Sequence, residues 1–151
     1  MALEVLAAMA TCCGWQVETA DSGEEALRLI ENGTNSHFPF DIVLMDWLMP
    51  GIDGIETARK LRQLCHGDKA PVVIMVTAHG RQYLAESVSD ATSIVDGYLL
   101  KPVTPSMLLD AVNNITSGHY AVTQKPDNFC QSNRLTGIHL LLAEDNLLTH
   151  I

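Results

Sequence analysis

Residues 41–56 have the sequence DIVLMDWLMPGIDGIE, which combines a strand, a turn and the start of a helix. The four consecutive apolar residues at 42–45 are typical of a strand that is covered on both faces. The strand ends at Asp46, the segment PGIDG forms a turn, and Asp53 is placed to cap the following helix. A buried strand that leads directly into a helix is the repeating unit of α/β proteins.

The rest of the chain repeats this alternation. Strands are predicted at 15–20, 40–46, 71–77, 96–100 and 138–145, and helices at 2–13, 23–32, 54–65, 81–88 and 105–115. We expect Ser22 and Thr104 to cap two of the helices, and Gly14 and Gly33 to end two of them. Strands that alternate with helices predict a doubly wound parallel sheet of five strands with helices on both faces.

The composition restricts the class of protein. The chain has 151 residues, of which 47% are hydrophobic and 18% are charged, as in a globular domain. Its net charge is −9 and its nine Lys and Arg residues are scattered along the chain, which disfavours nucleic acid as a direct partner. No apolar run approaches the ~18 residues that suggest a membrane span. Its four cysteines show no metal-binding spacing and indicate free thiols in a reducing compartment.

Polar residues end several of the apolar strands. Asp46, Thr77 and Lys101 each follow such a run, and the last strand, IHLLLAED, ends with Glu144 and Asp145. Taken singly, these residues are common turn formers, helix caps or solvated side chains. The carboxyl ends of parallel strands meet at one edge of the sheet, where open α/β sheets bind ligands. We therefore expect all five residues to converge.

These residue types permit one kind of chemistry in particular. Clustered carboxylates repel one another, and Mg²⁺ relieves that repulsion through oxygen ligands and retained waters. The carboxylate of Asp46 can act as a nucleophile and form an aspartyl phosphate. A lysine ammonium and a threonine hydroxyl can then hold the oxygens of the phosphoryl group. The edge therefore predicts magnesium-dependent phosphoryl transfer.

Three blocks of the sequence resemble the receiver domain of response regulators: DIVLMDWLMPGIDGIE, VIMVTAHG and GYLLKPVTP. The resemblance covers residues 1–117 and, independently, 138–151. It implies a flavodoxin-like sheet with strand order 2-1-3-4-5. It also implies that the peptide bond between Lys101 and Pro102 is cis.

The resemblance implies a role for each of the matching residues. Asp46 is expected to be the phosphoacceptor, and Lys101 the cation that binds the phosphoryl group. Thr77 is expected to be the switch hydroxyl and Tyr98 the switch aromatic residue. The backbone carbonyl of Leu48 is expected to bind the metal ion.

The sequence departs from a receiver at its start. A receiver begins with a strand that ends in an acid pair, whereas this sequence begins within the first helix. Residues 138–151 resemble the first strand and helix start of a second receiver, with Glu144 and Asp145 as acid pair and Mg²⁺ ligands. We therefore interpret the chain as part of a tandem-receiver hybrid sensor histidine kinase, in which 1–117 is a receiver without its first strand and 118–137 is a linker.

Residues 138–146 are predicted to supply the missing first strand. In the 2-1-3-4-5 order this strand is central, and a gap there would leave backbone groups unpaired. The linker of ~20 residues can extend over roughly 65 Å, which permits closure within one chain or exchange with a second copy in a strand-swapped dimer. Closure in a monomer is favoured because the linker keeps the internal strand locally concentrated.

The leading hypothesis is a cytoplasmic phosphorelay receiver that makes no direct contact with a membrane. This expectation is compatible with a membrane-anchored parent kinase. Its partner is a histidine kinase or a histidine phosphotransfer domain, and it promotes its own phosphotransfer and dephosphorylation without being a stand-alone enzyme. The alternative is a pseudo-receiver that serves as an interaction module without phosphorylation. An aspartate-nucleophile phosphatase needs a second Asp where this chain has Leu48. A flavin binder needs a Ser/Thr/Gly-rich phosphate loop, which is absent from the sequence.

Overall fold

The computed structural model describes residues 3–35, 39–65, 70–78, 94–117 and 137–144. The predicted helix at 81–88 and the acid Asp145 lie outside these residues. The helices are α1 (Leu3–Cys12), α2 (Gly23–Asn35), α3 (Gly54–Leu64) and α4 (Pro105–Thr116). The strands are β1 (Gln16–Ala20), β2 (Ile42–Asp46), β3 (Val72–Thr77), β4 (Gly97–Leu100) and β5 (His139–Ala143).

The five strands form one parallel sheet in the order β1-β5-β2-β3-β4. When β5 is counted as the first strand, this is the flavodoxin-like order 2-1-3-4-5, so the predicted fold is confirmed. The last strand in the sequence lies between β1 and β2, and Leu140 pairs with Val17 on one side and Ile42 on the other. The predicted closure of the sheet by the C-terminal segment therefore occurs within this chain.

Backbone hydrogen bonds fix β5 at both of its ends. At the start of the strand, the N–H of Asp41 donates to the carbonyl of His139 at 2.8 Å, and the N–H of His139 donates to the Asp41 carboxylate at 2.9 Å. At its end, the N–H of Glu144 donates to the carbonyl of Ala20 at 3.2 Å. These bonds set the register that carries Glu144 to the carboxyl edge of the sheet.

The core consists of two apolar layers, one on each face of the sheet. Because successive strand residues point to opposite faces, each buried strand contributes to both layers. The layer under α2 and α3 includes Val43, Met45, Val73, Met75, Leu141 and Ala143. The layer under α1 and α4 includes Ile42, Leu44, Ile74, Val76, Leu140 and Leu142. This two-sided burial explains why these strands are apolar throughout instead of alternating.

Most of the predicted helix boundaries agree with the structure. The side chains of Ser22, Asp53 and Thr104 accept hydrogen bonds from backbone N–H groups three residues further on, at 3.2, 2.8 and 3.2 Å. Gly14, with φ 82°, follows the end of α1 as expected. The Lys101–Pro102 bond is cis, as the resemblance implied. No helix in the described parts of the chain has the length and hydrophobicity that crossing a bilayer requires.

The prediction that Gly33 ends the second helix is wrong, because α2 continues to Asn35. Glycine lowers helix stability by only about 1 kcal/mol relative to alanine. Ala26 and Ile30 on the same helix are buried in the core, 0% and 3% exposed, and Gly33 itself is buried. Tertiary packing of this face therefore outweighs the local preference of the glycine.

Candidate functional site

Four of the predicted residues lie at the carboxyl edge of the sheet. Asp46 ends β2 and Thr77 ends β3, while Lys101 and Glu144 directly follow β4 and β5. The Glu144 side chain is 4% exposed, compared with 12% for Asp46 and 18% for Lys101. A carboxylate at such depth requires a compensating partner.

Lys101 is that partner, and it joins the two carboxylates. Its Nζ lies 2.9 Å from Oδ2 of Asp46 and 3.1 Å from Oε1 of Glu144. The structure therefore brings together three of the residues that the sequence singled out, from three different strands. The ammonium stands between two acids that would otherwise repel each other.

The two partners of the Lys101–Glu144 ion pair respond differently to burial. Burial lowers the pKa of Lys101, but its hydrogen bonds to Asp46 and Glu144 outweigh that effect, so the pKa lies above its ordinary value. For Glu144, burial raises the pKa and the opposing influence of Lys101 is smaller, so the net shift is also upward. Glu144 is the more deeply buried of the two partners. The site therefore disfavours the charged form of Glu144, whereas it favours the charged form of Lys101.

The raised pKa of Glu144 predicts a pH-dependent effect of Glu144→Gln. As the pH rises through about 4.3, unfolded Glu144 loses its proton while the folded state still holds it, so the wild type loses stability relative to the variant. We expect the stability of the wild type relative to Glu144→Gln to be highest below about pH 4 and to fall as the pH rises toward neutral. Urea denaturation in EDTA at several pH values, with the exposed Glu4→Gln as control, tests this. The opposite trend with pH would contradict it.

Backbone contacts join Leu48 and Thr77 to the residues of this centre. The second carboxylate oxygen of Asp46 accepts from the N–H of Leu48 at 3.3 Å, and the side chain of Leu48 is exposed. The N–H of Lys101 donates to the carbonyl of Thr77 at 2.9 Å, which joins the ends of β3 and β4. Tyr98 is partly buried against the core layer under α2 and α3.

The sequence did not single out Gly54, which brings the start of α3 against the backbone of Asp46. A Cβ atom at this position would lie 2.4 Å from the carbonyl oxygen of Asp46 and 2.6 Å from Cε of Met75. The N–H of Gly54 also donates to the carbonyl of Trp47 at 2.9 Å. The dipeptide Asp53-Gly54 is a common turn signal, so the sequence offers no mark of this close approach.

We expect Gly54→Ala to destabilise the protein by about 1–3 kcal/mol, because a backbone carbonyl cannot move aside as a flexible side chain can. Gly97→Ala is the matched control, since its Cβ would closely approach only the terminal methyl of Ile115, at 2.9 Å. Its cost should stay below about 1 kcal/mol. Urea denaturation of both variants makes the comparison, and equal losses would contradict it.

The residues at this edge fit a magnesium ion. The described part of the chain holds no cluster of three or more His, Cys, Asp or Glu side chains that could bind a metal ion. Magnesium needs fewer, because it commonly uses one or two carboxylates and retains several waters. Asp46 and Glu144 supply two carboxylates that both contact the ammonium of Lys101. The backbone carbonyl of Leu48, two residues after Asp46 in the sequence, is the third expected donor. The donors are all oxygens, as magnesium prefers.

Comparison with known proteins agrees with this geometry. The model of the family described as "Response regulator receiver domain" matches residues 1–113. The chain is 37% identical over 97 residues to the phosphate regulon transcriptional regulatory protein PhoB of Rhizobium meliloti, covering 63% of this chain and 39% of that protein. It is 30% identical over 101 residues to hybrid signal transduction histidine kinase I of Dictyostelium discoideum, covering 66% of this chain and 6% of that protein. The chain thus spans less than half the length of these relatives.

Solved structures show the same similarity. The CheX–CheY–BeF3–Mg²⁺ complex from Borrelia burgdorferi contains a chain that is 28% identical to this one, with a TM-score of 0.64. The match covers 76% of this chain and 80% of that one. With a parallel sheet of the 2-1-3-4-5 order and an acid–lysine cluster at its carboxyl edge, the chain belongs to the receiver domain family of response regulators.

Proposed function

We propose that this receiver accepts a phosphoryl group from a phosphohistidine onto Asp46, with Mg²⁺ as cofactor. The observation that carries the proposal is the position of Asp46, which ends a buried strand with its carboxylate 2.9 Å from the ammonium of Lys101. Receiver domains belong to two-component systems, and this arrangement supplies both a nucleophile and a cation for the transferred group.

In the proposed reaction, a carboxylate oxygen of Asp46 attacks the phosphorus atom of the donor. A P–O bond forms as the P–N bond to the donor imidazole breaks, and the bonding electron pair returns to the imidazole nitrogen. Lys101 turns from the carboxylates that it contacts in this structure toward the phosphoryl oxygens and neutralises their charge. The hydroxyl of Thr77 donates to one of the same oxygens. Bound Mg²⁺ supplies further neutralisation of that charge.

The proposed metal ligands are Asp46, Glu144, Asp145 and the carbonyl of Leu48, with Glu144 acting directly or through a water. The fit of the oxygen donors to magnesium supports this set, and the similar Borrelia complex contains Mg²⁺. The two carboxylates in the described region attract a cation even without metal, as their contacts with Lys101 indicate. A bound metal ion would neutralise the carboxylates of Asp46 and Glu144, so that the ammonium of Lys101 would be available for the phosphoryl group.

The proposed partner is a histidine kinase or a histidine phosphotransfer domain. The Dictyostelium relative, a hybrid histidine kinase, supports a parent protein of that class. In such a parent, residues 1–117 correspond to one receiver and 118–137 to a linker, on the cytoplasmic side. Residues 138–151, which supply the central strand of the sheet in this chain, correspond to the beginning of a second receiver. Phosphorylation would be transmitted through Thr77 and Tyr98 to the β3–β4 side of the sheet.

Incubation with a small phosphodonor and Mg²⁺ tests the proposed function. We expect the intact mass to rise by one phosphoryl group, and the rise to disappear when EDTA replaces Mg²⁺. Circular dichroism establishes that the sample is folded under both conditions. A folded chain that gains no phosphoryl group would instead support a pseudo-receiver that acts as an interaction module.

Magnesium binding is expected to change the fluorescence of Trp47, which is adjacent to Asp46. Trp15→Phe removes the other tryptophan, which is buried, so that one signal remains. In this background we expect Asp145→Ala to weaken magnesium binding at least about tenfold, because it removes a proposed ligand. Asp21→Ala, an exposed acid at the end of β1, serves as control. Unchanged affinity in Asp145→Ala would exclude that residue from the site.

A further inference from the structure

The site at the carboxyl edge is assembled from two separable parts of the chain. Asp46, Thr77 and Lys101 come from strands within the first 101 residues, whereas Glu144 arrives on β5, after residues 118–136. The bond between Lys101 and Glu144 joins positions that are 43 residues apart. Without β5, the site lacks its most deeply buried acid.

β5 is held by its neighbours β1 and β2. We call the gap between these two strands the strand slot. In this slot the strand forms a parallel ladder with β1 along its whole length, from Gln16–His139 to Ala20–Ala143, and a second ladder with β2. Residues 140–143 are at most 1% exposed. An identical strand from another molecule would satisfy every one of these contacts.

We propose that the strand slot accepts residues 138–144 of a second copy of this chain, so that Glu144 of one copy completes the phosphoacceptor site of the other. Exchange of identical elements costs little, because the closed and exchanged forms bury the same surfaces. In the closed form the strand fills the slot of its own chain, whereas in the exchanged form it fills the slot of the second copy. The ~20 residues of the predicted linker at 118–137 are long enough to permit both connections.

Mass action decides between the two forms. A linker of ~20 residues gives the internal strand an effective concentration of up to about the millimolar range, so closure within one chain prevails in dilute solution. The population of the exchanged form increases when copies of the chain are concentrated or tethered together. Removing β5 from a folded molecule breaks both ladders and exposes its leucines, so exchange between folded chains is slow. It becomes accessible when unfolded chains fold together.

Complementation between two full-length variants tests the proposal, and its readout depends on the proposed phosphorylation. One variant, Asp46→Asn, has an intact strand but no acceptor. The other, Glu144→Gln/Asp145→Asn, keeps Asp46 but carries a strand without acids, and it is labelled with ¹⁵N so that its mass is distinct. The two are unfolded together, refolded over a range of concentrations, and treated with phosphodonor and Mg²⁺.

We expect phosphorylation of the labelled chain to increase with protein concentration during refolding, to a limit of about half of its molecules. The labelled chain refolded alone, and the two variants mixed after folding, should remain at the low starting level. Wild-type protein is phosphorylated in parallel. If the wild type reacts and the mixture shows no increase at any concentration, the proposal is wrong.

If the wild type itself does not react, the proposed function fails and a second readout decides on exchange. Labelled and unlabelled wild-type chains, refolded together, should form mixed dimers that native mass spectrometry detects and that simple mixing of folded chains does not produce. The absence of mixed dimers after refolding at high concentration would overturn the proposal.

Discussion

Asp46→Asn is expected to abolish phosphorylation of this protein completely. An amide lacks the negative charge of a carboxylate and is a far weaker nucleophile, and the proposed reaction offers no alternative acceptor. Intact mass after treatment with a phosphodonor and Mg²⁺ should equal that of the untreated variant. The wild type should gain one phosphoryl group under the same conditions.

The matched control for this variant is Asp21→Asn, which alters an exposed acid after β1 at the same edge of the sheet. It should be phosphorylated as the wild type is. The fold of Asp46→Asn should persist, because the substitution preserves shape and Lys101 retains its contact with Glu144. Circular dichroism and thermal denaturation establish this. A phosphoryl group on folded Asp46→Asn would show that the acceptor lies elsewhere.

Deletion of residues 137–151 is expected to abolish cooperative folding. The deletion removes Leu140, Leu141 and Leu142, which are buried to within 1% and contribute about 2 kcal/mol each, or about 6 kcal/mol together. It also opens the ladders on both sides of the strand slot. Domain stabilities of about 5–15 kcal/mol leave little margin for such a loss. A monomeric truncated chain that unfolds cooperatively in urea would contradict this expectation.

A pair of leucines isolates the contribution of packing from that of chain length. Leu141→Ala should lower the free energy of unfolding by about 2–5 kcal/mol, because it leaves a cavity in the central strand. Leu48→Ala changes the same side chain where it is 62% exposed, and should alter stability by less than about 0.5 kcal/mol. Urea denaturation of both variants gives the comparison. Similar effects would mean that β5 is held less tightly than its burial indicates.

Much of the fold follows from the sequence through two simple patterns. The unbroken apolar runs at 42–45 and 140–142 predict strands that are buried on both faces, and both are central in the sheet. Side-chain caps at Ser22, Asp53 and Thr104 mark where helices begin. Local signals fail where tertiary contacts outweigh them. Gly33 looks like a helix end, yet packing of the whole helix extends α2 beyond it.

The candidate site is predictable to the level of its edge. Parallel strands place their carboxyl ends together, so Asp46, Lys101 and Glu144 could be expected to meet. Their distances could not, because the bridging position of the ammonium depends on side-chain conformations across several strands. Gly54 was missed for the same reason, since its close approach to the Asp46 carbonyl is a property of how α3 packs and not of its neighbours in sequence.

The central position of the last strand has a consequence for the protein during its synthesis. β2 ends at Asp46, but the strand that pairs with it begins at His139, more than ninety residues later. At translation rates of about 5–20 residues per second, this interval lasts about 5–20 s. Until residues 139–143 of this chain emerge, β1 and β2 lack the strand that lies between them in the folded sheet. The carboxyl edge that carries Asp46, Lys101 and Glu144 is therefore completed only at the end of this interval.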